Sequence, residues 1–296
     1  MNHRLKGTGV ALITPFLSNG EIDFESLEKL IDQLITGGVD YIVTLCTTSE
    51  VPTLSDEEKN EILHTVQRVN QGRLPIVCGL GGPNTLEIAH QLQYANFDGV
   101  DAILSVTPYY NRPSQEGIYQ HYRTLAQVSP KPLILYNVPG RTGCNIEADT
   151  TLRLAYDFPN IIAIKEASGN MNQIMRIVKH KPESFSVISG DDAITLPLLA
   201  IGVDGVISVV ANAFPNEVSN MVRLALANHF EEARQLHLSL LDFTQSCFKE
   251  GNPAGIKALL MLQGKIQNQL RLPQVPVSNQ LISIFQKLLS KNSYNE

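Results

Sequence analysis

The sequence predicts an α/β chain folded as a (β/α)8 TIM barrel with a C-terminal three-helix appendage. Three observations predict it. Short apolar runs alternate with amphipathic stretches from the N-terminus to about residue 225, the alternation repeats eight times, and most of the short runs are apolar throughout. Continuous apolar character marks parallel strands that helices cover on both faces. Eight successive strand–helix repeats favour a closed barrel over an open doubly wound sheet.

The first strand is expected at Thr8–Thr14. The opening MNHRLKGTGVALITPFL carries early cations and a short apolar stretch, but Pro15 interrupts it and no small-residue cleavage site follows. It therefore reads as a strand rather than an export signal. Behind it, Leu27, Leu30, Ile31, Leu34 and Ile35 recur at helical spacing, and Gly37-Gly38 supply the stop. After a second strand at Tyr41–Leu45, Ser55 and Glu58 form a capping box ahead of Ile62, Leu63, Val66 and Val69. Further strands are expected at Pro75–Gly79, Asp101–Val106, Leu133–Asn137, Ile161–Lys165, Ser186–Ser189 and Gly205–Val209. The strand signals then cease, and Glu231–Phe248, Pro253–Gln263 and Asn279–Leu289 read as three helices. The chain thus divides into a barrel over residues 1–225 and a helical appendage over residues 226–296.

With 296 residues and 43% apolar content the chain can bury one barrel-sized core, but it is too short for two ordinary catalytic domains. A formal charge of −6 without runs of like charge leaves no basic surface for a phosphate backbone, so no nucleic-acid partner is expected. No apolar run reaches the roughly 18 residues that a membrane span needs. Cys46, Cys78, Cys144 and Cys247 lie far apart without a CxxC pair, which suits free thiols in a reducing cytoplasm better than zinc or disulfides. Gly81-Gly82 lacks the GxGxxG spacing, and neither GxxxxGK[ST] nor HExxH occurs, so nucleotide and metal sites have no support. Asp191-Asp192 could bind a cation, although two acids at a helix entrance more often cap it.

In such a barrel the reacting groups gather at the C-terminal ends of the strands. Lys165 closes the run Ile161-Ile162-Ala163-Ile164, so its amine would enter the barrel mouth against low-dielectric walls. Burial there favours the neutral amine, which can attack a ketone. The plainer alternative is a lysine that keeps its ammonium in water or pairs with Glu166. Tyr136 ends the neighbouring strand, where a phenol could pass protons, though a tyrosine in that place is often mere packing. Thr47 and Thr48 offer hydroxyls and turn N–H groups for a carboxylate or a proton relay, or form an ordinary polar loop. Arg141, after Pro139-Gly140, could grip a substrate carboxylate with both arms of its guanidinium, or sit in a surface ion pair. Tyr109 and Tyr110, between Pro108 and Pro113, form a stiff aromatic loop suited to reaching a neighbouring subunit.

Three segments together carry a family resemblance: SVTPYYNRPSQEG at Ser105–Gly117, LYNVPGRTG at Leu135–Gly143 and IKEASGN at Ile164–Asn170. The chain resembles the dihydrodipicolinate synthase family of pyruvate-dependent class I aldolases from Gly7 to the C-terminal helices. The resemblance implies that Lys165 forms an imine with pyruvate, that Tyr136 and Thr47 relay protons, and that Tyr110 of a partner subunit completes the relay. It implies further that Thr48 holds the pyruvate carboxylate, that Arg141 recognises the carboxylate of L-aspartate 4-semialdehyde, and that Gly190 and Ile207 line the pyruvate pocket. The family's assembly is a homotetramer, a dimer of dimers. Because a protonated imine is itself the electron sink, this chemistry asks for no metal or organic cofactor. Sister aldolases that take polyhydroxylated aldehydes, such as N-acetylneuraminate lyase and the keto-deoxy-sugar-acid aldolases, share Lys165 and Tyr136. Arg141 and the Tyr109-Tyr110 pair favour a short aldehyde that bears a carboxylate. A non-catalytic relative is the reading from another class, and the joint retention of Lys165, Tyr136, Thr47 and Tyr110 argues against it.

The chain departs from the family pattern where GTTGE becomes Cys46-Thr47-Thr48-Ser49-Glu50. A positive φ at either substituted glycine would cost a side chain on the order of 1 kcal/mol, and a bulkier wall would narrow the carboxylate pocket. A second departure concerns inhibition of many family members by L-lysine in a cleft between subunits. Glu87 and Tyr109 match that cleft, whereas Val51, Pro52, Asp56, Lys59 and Pro83 do not. The resemblance therefore implies weak or absent sensitivity to lysine.

Overall fold

A computed structural model of the chain describes residues 5–292; the opening residues Met1–Arg4, part of the segment weighed as an export signal, lie outside the described residues. Eight parallel strands close into a barrel in sequence order: β1 (Gly7–Ala11), β2 (Tyr41–Thr44), β3 (Ile76–Gly79), β4 (Ala102–Val106), β5 (Leu133–Asn137), β6 (Ile161–Glu166), β7 (Ser186–Ser189) and β8 (Gly205–Ser208). The seam closes where β1 pairs with β8, Gly7 opposite Gly205 and Ile207 opposite Gly9. Close approach makes glycine necessary at this seam. A β-carbon on Gly205 would meet the Gly7 carbonyl oxygen at 2.0 Å, and one on Gly9 would fall 2.1 Å from the Tyr41 ring.

The surrounding helices are α1 (Phe24–Thr36), α2 (Asp56–Asn70), α3 (Thr85–Tyr94), α4 (Gln115–Val128), the single turn α5 (Pro139–Thr142), α6 (Ala148–Asp157), α7 (Met171–His180), α8 (Thr195–Ala200) and α9 (Pro215–Leu226). Helix α1 starts at Asp23, whose carboxylate accepts from the Ser26 N–H, and buries Leu27, Leu30, Ile31 and Leu34. Helix α2 starts on the expected capping box: Ser55 Oγ accepts from the Glu58 N–H at 3.2 Å, and the Glu58 carboxylate accepts from the Ser55 N–H at 2.9 Å. Three further helices follow, α10 (Phe230–Lys249), α11 (Ala254–Leu262) and α12 (Asn279–Asn292). Helix α10 packs on α9, and α11 and α12 pack on α10 and on each other. Among the described residues no helix is long and apolar enough to cross a membrane.

Two differences from the sequence reading have local causes. Strand β1 stops at Ala11 rather than Thr14, because the Ile13 N–H turns to the side chain of Asn212 at 3.2 Å instead of a strand partner. The loop expected around Arg141 is the helical turn α5, started by Pro139 and stopped by Gly143 at φ +68°.

Candidate active site

Lys165 and Tyr136 stand opposite each other in the β5–β6 register, near the C-terminal ends of both strands. Both are buried, and the Lys165 Nζ lies 4.4 Å from the centroid of the Tyr136 ring. Among the described residues no carboxylate lies within ion-pair distance of Lys165. Strand alternation explains why Glu166 is not its partner, since consecutive side chains leave opposite faces. The Glu166 carboxylate instead accepts from Asn137 Nδ2 at 2.6 Å, Gln173 Nε2 at 2.7 Å and the Ser168 N–H at 3.1 Å. Burial pushes that carboxyl upward from its ordinary value, and these donors oppose the shift. Lys165 is thus neither exposed at the protein surface nor paired with Glu166. Tyr136 is held from behind by Thr107, whose hydroxyl and N–H donate to the Tyr136 carbonyl at 3.0 and 3.1 Å.

Gly190 follows β7 and faces the lysine stem. A β-carbon there would lie 2.8 Å from the Ala167 Cβ and 3.0 Å from the Lys165 Cε, so only glycine leaves the stem its present path. Thr47 and Thr48 lie in a 3₁₀ turn, Thr47–Ser49, directly after β2. The substituted glycine positions do not strain that turn. Cys46 has φ −107°, and the left-handed residues are its neighbours Leu45 at +53° and Glu50 at +56°. Ser49 ties the turn to β1, its Oγ donating to the Leu12 carbonyl at 2.7 Å and accepting from the Cys46 N–H at 3.2 Å. The expected penalty at Cys46 and Ser49 is thus absent, and Ser49 faces the barrel frame rather than the pocket.

These groups line a cavity of about 900 Å³ between the barrel mouth and the appendage, with Thr47, Thr48, Tyr136, Arg141, Lys165 and Gly190 in one wall. Besides Lys165, its ionisable residues of opposite sign are Arg141 and Lys249 against Asp191 and Asp242. Asp191 serves as a cap, whereas Asp192 braces the end of β8. Asp191 accepts from the Ala193 N–H at 3.0 Å, while buried Asp192 takes the Ser208 hydroxyl and the Val209 N–H. Among the described residues no cluster of three His, Cys, Asp or Glu could hold a metal ion.

Two further residues do not line this cavity within the one chain. Ile207 is buried on β8 opposite Gly9, and Val209 reaches the cavity wall from that side. Tyr110 is 88% exposed at φ +74° on a projecting loop, outside the walls of its own chain's cavity.

Sequence reasoning missed Asn252. Its side-chain NH₂ donates to the Thr48 hydroxyl at 3.0 Å, and its carbonyl accepts from Arg141 at 3.3 Å, so the appendage completes the wall that the barrel begins. No motif marks it, because its partners lie 204 and 111 residues away.

A second cavity, of about 760 Å³, shares Thr47, Tyr136, Val138 and Arg141 with the first. It brings together Val51, Pro52, Asp56, Lys59, Pro83, Glu87 and Tyr109, the positions read in sequence as one cleft. Lys59 is already paired with Asp56 at 2.8 Å.

The model of the Dihydrodipicolinate synthetase family matches residues 4–292. The 4-hydroxy-tetrahydrodipicolinate synthase of Parabacteroides distasonis is 55% identical over 92% of each chain. The solved dihydrodipicolinate synthase of Thermotoga maritima superposes with a TM-score of 0.95 at 37% identity, covering 98% of this chain and 99% of that one. The synthase of Cyanidioschyzon merolae, solved with lysine bound, gives a TM-score of 0.94 at 36% identity over 98% and 99%. With a lysine and a tyrosine side by side in the mouth of such a barrel, and with this likeness along nearly all of its length, the chain belongs to the dihydrodipicolinate synthetase family.

Proposed function

We propose that the chain is a Schiff-base-forming lyase that condenses pyruvate with L-aspartate 4-semialdehyde to 4-hydroxy-tetrahydrodipicolinate, a step of diaminopimelate and lysine biosynthesis. The observation that carries the mechanism is the buried Lys165 amine, which has no carboxylate partner among the described residues and lies against Tyr136 in the cavity wall. A neutral amine in that place attacks the pyruvate ketone, and loss of water leaves a protonated imine. Removal of a methyl proton then gives an enamine, the carbon nucleophile that attacks the aldehyde. The amine carried in by the aldehyde substrate then adds to the imine carbon, which closes the ring, and cleavage of the bond to the Lys165 nitrogen releases the product.

In this reading Tyr136 and Thr47 pass the protons, and Tyr110 of a partner subunit completes the relay; its exposure on a projecting loop supports a partner's site rather than its own. Thr48 and the turn N–H groups hold the pyruvate carboxylate, with Gly190 leaving room for the lysine stem, and Arg141 holds the carboxylate of the aldehyde. Ile207, with Gly190, lines the pyruvate pocket in this reading. The barrel supplies the chemistry, and the appendage, through Asp242, Lys249 and Asn252, walls the mouth. We place the enzyme in the cytoplasm as a homotetramer, a dimer of dimers; four free thiols among the described residues suit a reducing compartment.

The test is treatment with borohydride in the presence of pyruvate, which reduces the imine carbon and adds mass at the reacting lysine. Mass on Lys165 alone, with turnover of pyruvate plus L-aspartate 4-semialdehyde but not of pyruvate plus N-acetylmannosamine, is the expected result. Labelling of another lysine, or activity only with the sugar, overturns the reading.

A further inference from the structure

The turn that carries Thr47 and Thr48 ends at Glu50, whose N–H donates to the Thr47 carbonyl at 3.1 Å and whose φ of +56° closes the turn. Its side chain is buried and carries a charge, which in a low-dielectric interior demands partners. They come from the appendage. Lys257, itself fully buried, makes a short ion pair with one carboxylate oxygen and also donates to the Gln269 carbonyl at 2.9 Å. The Arg271 N–H donates to the other carboxylate oxygen at 3.1 Å. The Arg271 guanidinium then grips Glu58 through two bonds of 2.6 and 2.7 Å and the Thr53 carbonyl at 2.9 Å, so it spans the whole segment after the turn. Both cations lie over the Phe16 ring, at 4.2 and 4.5 Å from its centroid.

We propose that the appendage, through the Lys257–Glu50 ion pair and the Arg271 clasp, positions the Thr47–Thr48 turn for pyruvate, which makes Lys257 a positioning residue for the reaction. The inference rests on the function proposed above. Its physical basis is the cost of an unpaired buried carboxylate. Without Lys257, Glu50 lowers its energy by moving toward water or by taking up a proton, and motion at Glu50 is transmitted through one turn of backbone to both threonines. Asn252, five residues before Lys257, holds Thr48 from the same segment, so the turn is clasped at two points from across the chain. Arg141 meets this segment at the Asn252 carbonyl, and that bond does not run through Glu50, Lys257 or Arg271. Loss of Lys257 should therefore disturb pyruvate and spare the aldehyde.

A pair that only fastened the appendage to the barrel would lower the melting temperature and leave both substrates alone. The experiment measures the pyruvate concentration that half-saturates borohydride trapping on Lys165, beside the KM for the aldehyde, in Lys257→Met. Because that variant can fail to fold, Arg271→Ala, which removes the clasp from the rim, is measured in the same way. In folded preparations the pyruvate constant should rise about tenfold or more while the aldehyde KM stays within about twofold, as expected when one substrate's binding turn is misplaced. A pyruvate constant that does not move, or two constants that move together, overturns the inference. The two proposals fail differently: no trapping in the wild-type enzyme sinks the Lys165 reading, whereas normal trapping with unaltered variants sinks the positioning role alone.

Discussion

Replacing Gly190 by alanine tests whether the path of the lysine stem limits the reaction. The added carbon would lie 2.8 Å from the Ala167 Cβ and 3.0 Å from the Lys165 Cε. Apolar carbons rest at about 3.5–4.0 Å, so the Ala167 contact is short by roughly 0.7 Å or more. Gly190 has no left-handed backbone angle, which leaves space as the only issue. Ala167 is pinned, its N–H bonded to the Asn137 carbonyl at 2.8 Å, so relief of that contact shifts the backbone at residue 190, and the flexible lysine stem yields at the second contact. Overpacking of this size costs about 1–3 kcal/mol, a fall of several degrees in melting temperature. The kinetic effect is larger, because moving a reacting group by about 1 Å costs on the order of 10²-fold. Steady-state kinetics, stopped-flow imine formation and a melting curve on Gly190→Ala should show kcat/KM down about 10²-fold in a chain that still folds. Imine formation at the wild-type rate in folded Gly190→Ala would show that the stem has room, and would refute the argument.

Three other outcomes are expected. Tyr110→Phe should lower kcat by about 10²-fold with little change in stability, and mixing it with inactive Lys165→Ala chains should restore part of the activity in hetero-oligomers; verified hetero-oligomers without rescue would place the relay within one chain. An L-lysine titration with D-lysine as control should show weak or no inhibition, because the Asp56 carboxylate that could receive the incoming ammonium is already held by Lys59; cooperative, saturable inhibition by the L isomer alone would refute this. Burial lowers the buried His121 imidazole from 6.5 to about 4. The folded chain therefore keeps it neutral while the unfolded chain takes up a proton below pH 6.5. Its contribution to stability is present above that pH and is lost as pH falls toward 4, by at most about 1.4 kcal/mol per pH unit. Urea midpoints at pH 7 and pH 5 should differ more in the wild type than in His121→Gln, and equal differences would refute the assignment.

Much of this enzyme was legible without its structure, and the reason is range. A strand buried on both faces shows its character in five consecutive residues, as Leu133–Asn137 does, and a capping box such as Ser55–Glu58 spans four. The barrel's architecture then supplies a rule, that chemistry gathers at strand ends, which turns the local run ending in Lys165 into a site next to Tyr136. Some features stayed ambiguous because the letters alone did not say that the strand runs on through Glu166, and because a conditional penalty at Cys46 and Ser49 depends on dihedral angles that letters do not carry.

The sequence by itself determined the eight strands, the caps and the lysine at the mouth, since each is specified by neighbours a few residues away. Tertiary structure alone decided that Val209 lines the cavity, that Asn252 completes its wall, and that Lys257 meets Glu50 across 207 residues. One signal of that last contact was present: Lys257 is the sole charge in the apolar helix AGIKALLML, and a buried ammonium requires a partner. Which partner it finds depends on how the closed barrel brings the appendage over its mouth, and no local pattern encodes that encounter.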